Sequence, residues 1–345
     1  MHRFVASLLS LLGVTLAADQ PGVVKTELIF DKAPFKQCHA STIAEGRDGL
    51  VAAWFAGTRE KNPDVGIWVS RHIDGKWTAP VEIDKGVVGD TDYACWNPVL
   101  FQQPEGDLML FYKLGLNARD WWGVHRKSAD GGKTWSARVD LPKTLFGPIK
   151  NKPVLLKDGT LLCPSSTEDK GWRVHFESTR DFGKTWSRTP AINDGVAVGA
   201  IQPSILVMGE KDLMALGRSQ QKLIWQSLST DGGKTWSDLR LIDLPNPNSG
   251  IDAVTLKNGS HLLVYNHTGK GRSPLNVAVS NNGFNWNALV VLENNPGEYS
   301  YPAVIQTADG LVHITYTWKR TSVKHVVLDV TKLRSKPIVR GAWPR

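Results

Sequence analysis

Cysteine is scarce in this chain of 345 residues. The three present, Cys38, Cys95 and Cys163, form no C-x-x-C pair and no Cys/His spacing of the kind that holds zinc. An odd count leaves at least one thiol unpaired in an exported protein. Cys38 adjoins His39, but a small buried hydrophobe is the default for such a residue. No metal or other cofactor is expected. Long apolar runs are scarce too. Residues 4–16 form one, too short to span a membrane, and none of spanning length follows. Together with Met1-His2-Arg3 and the small residues Ala17-Ala18, that run makes residues 1–18 read as a secretory signal. A secreted or periplasmic protein without a membrane span is expected. Charge never gathers into blocks, although Lys and Arg number 41 against 33 Asp and Glu, a formal net charge of +8. Scattered positive charge argues against nucleic acid as partner. It leaves a solvated surface, or an acidic ligand drawn to it. Long helical periodicity and Pro/Gly/Ser-rich linkers are also missing, which points to an all-β chain with one domain over residues 19–345.

Tryptophan, by contrast, is plentiful at 14 residues, and it is periodic. Ser229-Thr230-Asp231-Gly232-Gly233-Lys234-Thr235-Trp236 recurs almost letter for letter at residues 128–135 and, with one extra residue, at 178–186. Residues 280–286 and 70–77 are worn copies. The closing tryptophans, Trp77, Trp135, Trp186, Trp236 and Trp286, are 58, 51, 50 and 50 residues apart. A fixed period of this length means an array of similar supersecondary units. Within each motif the Asp accepts hydrogen bonds from its own turn, and the glycines supply positive φ. Each unit also carries a turn pair between apolar runs: Asp48-Gly49, Gly106-Asp107, Asp158-Gly159, Asn258-Gly259 and Asp309-Gly310. Four strands per unit is the pattern of a propeller blade. Five motifs give five blades. A motif-free run from Tyr299 starts a sixth, which the strand-like run at residues 23–30 is expected to complete, closing a six-bladed β-propeller.

Polar residues break the repeat at the head of each inner strand: His39, Asn97, Lys150 with Lys152, Gln202, Asp252, and Tyr299 with Tyr301. A polar ring around the channel mouth suits a polar ligand.

The motif resembles the Asp-box, and the chain resembles the exo-sialidases over nearly its full mature length. That resemblance implies an exported glycosidase, expected to be a monomer, acting on a terminal acidic sugar. It implies arginines for the sugar carboxylate, a Tyr nucleophile activated by a Glu, and an Asp acid/base. The matching positions are Arg218 and Arg272 for the carboxylate, Tyr299 for the nucleophile and Asp64 for the acid/base. Two positions depart. The first arginine's place holds His39, and the glutamate's place falls on Gln202, which takes no proton from a phenol. Glu168, or Glu298 beside Tyr299, stands as a substitute. The departures keep two alternatives open: a lyase of uronate polysaccharides, using His39 or Tyr299 with Arg272 and Lys150/Lys152, or a sugar-binding propeller without turnover.

Overall fold

The structure, a computed structural model, describes residues 20–344. The secretory-signal reading of residues 1–18 lies outside these. Six antiparallel sheets stand around a common axis. Their innermost strands are Gln37–Gly46, Cys95–Gln102, Val154–Leu155, Ala200–Val207, Asp252–Thr255 and Tyr299–Gln306. Among the described residues there is no α-helix, only a 3-10 turn at Val330–Lys332. The chain is a six-bladed β-propeller.

The middle strands are buried on both faces, which explains their unbroken apolar runs. Leu108–Leu114 is buried along its whole length, and Leu213–Ser219 likewise. The ring closes as the sequence led one to expect. Val23–Leu28 pairs antiparallel with Ser322–Leu328 and becomes the outer strand of the sixth blade. Joining the two ends of the chain in one sheet ties the last blade to the first turn of the ring.

The Asp-box turns are nearly identical. Asp130 accepts from Ser128 Oγ and from the amides of Lys133 and Thr134, and takes the Thr134 hydroxyl at 2.6 Å. Those bonds from Thr134 hold its carboxyl well below the usual carboxylate range. Asp231 repeats the pattern with Ser229, Lys234 and Thr235. Asn282 keeps only the two amide bonds and a long contact to Ser280. The copy at residues 70–77 differs. It is a plain hairpin, with Ile73 opposite Lys76 and both Asp74 and Gly75 at positive φ. Its Asp comes four residues after Ser70 rather than two, so Asp74-Gly75 makes a two-residue turn instead of a box.

Inner strands carry a second recurrent device. In four blades the register slips near the strand head, and one non-glycine residue sits at positive φ: Ala40, Asn97, Gln202 and Tyr301. A β-bulge there re-aims the side chain and ends the regular pairing.

Candidate functional site

In an antiparallel blade the start of the first strand, the end of the second and the start of the third share one end of the ring. That end gathers the inner-strand heads, Arg218 at the close of Leu213–Ser219, and Arg272 ahead of Leu275–Ser280. It also gathers the loop at residues 58–65 and the hairpin tip Lys319-Arg320. The Asp-box turns lie at the other end. A cleft of about 1060 Å³ between the third and fourth blades lies at that box end, lined by Lys157, Arg180, Lys211 and Lys234, away from the strand heads.

Tyr301 is the centre of the mouth. Arg218 Nη1 donates to its hydroxyl at 2.6 Å. The guanidinium carbons of Arg218 and Arg272 each stand 5.5 Å from its ring centre, and Lys150 Nζ 5.8 Å. The His39 ring is 4.1 Å away, centre to centre. Arg218 also lies over the Trp172 ring at 4.9 Å. Tyr299 is elsewhere. It is buried in the packing of the last two blades with Val264, Tyr316 and Leu275. Burial, and then the Glu293 charge, push its hydroxyl pKa up. The expectation that Tyr299 faces the arginines is therefore corrected to Tyr301. The bulge between Ser300 and Ala303 is the reason: it breaks the alternation that would have put both tyrosines on one face.

His39 accepts or donates at Nδ1 to Thr317 Oγ1, 2.8 Å away, and is buried. Burial, and then the charges of Arg320, Arg272, Arg218 and Lys150, drive its pKa well below the usual histidine value. It therefore stands neutral in this cationic surround and adds no charge where the resemblance implies an arginine.

Several expected ligand contacts instead brace the ring beneath the mouth. Asp252 accepts from Ser204 Oγ at 2.8 Å, Lys152 Nζ at 2.9 Å and the Val304 amide at 2.8 Å. It thus ties four blades together and has no side-chain oxygen left for a sugar. Lys152 is spent on Asp252 and on the Ala253 carbonyl. Lys150 Nζ donates to Asn151 Oδ1, to the Ile251 carbonyl and to the Pro302 carbonyl. Burial pushes its pKa down to about 7, but three acceptors match the three protons of the ammonium form. Asn151 in turn donates to the carbonyls of Gln202 and Pro203.

Gln202 and Asn97 occupy the bulge positions equivalent to Tyr301. Gln202 Oε1 is buried with no hydrogen-bond partner among the described residues, and so are Arg218 Nε and Arg272 Nη1. Glu168 is partly buried beside Arg218, Arg119 and Lys61. Burial raises its pKa, against the lowering effect of Arg218. Asp64 is turned into its own loop: its Oδ2 takes the Thr58 amide at 2.8 Å and the Thr58 hydroxyl at 2.5 Å. The carboxylate of that loop which reaches the cations is Glu60, on Arg320 Nη1 at 2.5 Å. Glu298 joins Arg320 at 2.9 Å and Arg272 at 3.9 Å. Arg320, Glu60 and Trp172 escaped the sequence reading. The only signal for the first was a Lys-Arg pair at a hairpin tip where Asn-Gly is usual. Cys38 carries no chemistry here, since burial pushes its thiol pKa up to about 12. Among the described residues no cluster of three or more His, Cys, Asp or Glu is arranged to hold a metal.

Comparison with known proteins agrees with the fold. A sialidase of Bacteroides fragilis is 25% identical over 258 residues, which are 63% of this chain and 45% of that protein. The chain thus spans less than half the length of this relative. A protein of unknown function from Dyadobacter fermentans superposes with a TM-score of 0.74 at 18% identity, covering 92% of this chain and all of the other. The intramolecular trans-sialidase of Ruminococcus gnavus, solved with oseltamivir carboxylate, gives a TM-score of 0.74 at 14% identity, covering 90% and 98%. The BNR repeat-like domain matches residues 48–314, more than half of the sequence. The chain belongs to the BNR repeat-like domain family.

Proposed function

We propose that the protein is a sialidase-type glycosidase acting on a terminal acidic sugar bound at the Tyr301 mouth. One observation carries the reading. Two arginines converge on one tyrosine, and the buried Arg218 Nε and Arg272 Nη1 make no hydrogen bond among the described residues, Nη1 having only Glu298 at 3.9 Å. Buried polar groups are normally satisfied, so such donors point to an acceptor supplied by a ligand. A carboxylate matches the planar guanidinium fork. The orphan Gln202 Oε1 is an acceptor, and a sugar hydroxyl or amide N–H satisfies it.

In this reading Arg218 and Arg272 hold the carboxylate, and Tyr301 attacks the anomeric carbon. Arg218 Nη1 donates to that hydroxyl, and Arg272 and Lys150 flank the ring where a general base would otherwise stand. Glu168, whose pKa burial raises, supplies the acid for the leaving oxygen in this reading. Asp64, bonded to Thr58, is the weaker candidate for that step. A second reading has one specific support: the His39 and Tyr301 rings touch beside the arginines. That arrangement also suits removal of the proton next to a uronate carboxylate, as a lyase requires.

The purified protein should be offered a fluorogenic sialoside and, in parallel, a panel of uronate polymers. Release of the fluorophore supports the hydrolase. Absorbance near 235 nm from the polymers, with no fluorophore release, replaces it by the lyase. Binding without turnover of either would make the propeller a sugar-binding protein.

A further inference from the structure

The hairpin tip of the sixth blade holds an arginine in a costly conformation. Thr321 N bonds to Trp318 O, closing a turn in which both Lys319 and Arg320 lie at positive φ, at 52° and 58°. Such turns favour Asn-Gly because a Cβ is strained there. The strain is held in place from outside the turn. Cys38 N donates to Arg320 O at 2.8 Å, docking the tip on the first blade beside His39, and Lys319 N donates to Glu298 O at 2.7 Å. The Arg320 side chain then points back to the mouth. Its Nε donates to Glu298 Oε1 at 2.9 Å, the oxygen that also faces Arg272 Nη1 at 3.9 Å. Its Nη1 meets Glu60 at 2.5 Å. Glu60 belongs to a different blade and to the loop at residues 58–65, at the same end of the ring. Backbone strain kept at one residue by several outside contacts is a pointer to function.

We propose that Arg320 is an anion-binding group of this mouth, and that Glu60 is an internal carboxylate occupying it until an acidic ligand takes its place. The ligand class is a sugar carboxylate. Arg320 and Arg272 share Glu298, so a carboxylate arriving at Arg272 lies within reach of the guanidinium that Glu60 holds. The exchange swaps one carboxylate for another and needs no change of protonation. It releases the loop at residues 58–65 from its ionic tether. The inference rests on the reading of the mouth as an acidic-sugar site and adds a binding group that reaches it from a hairpin rather than an inner strand.

Titration calorimetry with N-acetylneuraminic acid and with its uncharged methyl ester tests both. Arg320→Gly removes the guanidinium and relieves the positive φ, so the variant is expected to fold. It should weaken the acid by about tenfold or more and change the ester by less than about twofold. Glu60→Gln removes the competing carboxylate and should tighten the acid several-fold, an effect that a merely structural ion pair would not give. If Arg218→Ala abolishes the preference for acid over ester while Arg320→Gly and Glu60→Gln leave it unchanged, the site stands and this proposal falls. If the wild type shows no preference for the acid, both fall.

Discussion

At the scale of single residues, two tyrosines spaced i, i+2 show where a sequence stops being legible. The Tyr-Ser-Tyr-Pro stretch marks a functional strand head, and alternation places both rings on one face. The bulge at Ser300/Ala303 breaks that equivalence, and bulges leave little trace in a single sequence. The arginines came from the resemblance, and each precedes a strand that leads into an Asp-box. Arg320 was not legible, because a hairpin tip has no periodicity to violate. Asp252 and Lys152 were visible as polar breaks in the repeat, yet whether a buried charge faces a ligand or another blade depends on partners about 50 to 100 residues away. Lys150 gives a residue-scale test. Lys150→Met should leave the Ile251 and Pro302 carbonyls and Asn151 Oδ1 without their donor. Chemical denaturation should show a loss of about 2–4 kcal/mol, with the blades still formed by circular dichroism.

Among the elements, the Asp-box was the part best written in the sequence. Its spacing fixed the blade order, and its chemistry is local, so residue identity alone specifies it. The copy at residues 70–77 was the exception, since its Asp stands four residues after the Ser rather than two and makes a two-residue hairpin turn. The full boxes should matter for stability and not for turnover. Asp231→Ala removes the acceptor for two amides and two hydroxyls. It should lower the Tm by roughly 3–8 °C while leaving ligand affinity unchanged, because the box lies at the end of the ring opposite Tyr301. Scanning calorimetry and a binding titration on the same sample check both halves. The mouth loop behaves in the opposite sense: Glu60 touches Arg320 across a blade boundary, so changes there should move affinity.

For the molecule as a whole, closure by the strand Val23–Leu28 was foreseeable from an unfinished sixth repeat. It brings a histidine group to the seam. His325 lies 3.0 Å from His313 and 3.1 Å from Glu27, and Trp77 donates to it from the first blade at 3.2 Å. Burial, and then His325, lower the His313 pKa to about 4, and burial, then Lys127, lower that of His125 to about 4. Unfolded histidine titrates near 6.5. Between those values the unfolded chain binds protons that the folded one does not, so stability falls as the pH drops from about 6.5 to about 4. Burial would raise the Glu27 pKa, but hydrogen bonds from His325 and Lys25 bring it to about 2, so its contribution is lost below the usual carboxylate range. The Tm, measured from pH 7.5 to 4, should decline steadily over that interval. His313→Asn should flatten the first part of the decline.

The most direct test compares wild type, Tyr301→Phe and Tyr299→Phe in release of a fluorophore from a sialoside, with the Tm of each recorded alongside. The expected result is a fall in kcat/KM of roughly 10³-fold or more for Tyr301→Phe, about 4 kcal/mol of transition-state stabilisation, at an unchanged Tm. Tyr299→Phe should keep most of the activity. Full activity in Tyr301→Phe, or its loss only in Tyr299→Phe, would contradict the placement of the chemistry at the arginine-lined mouth.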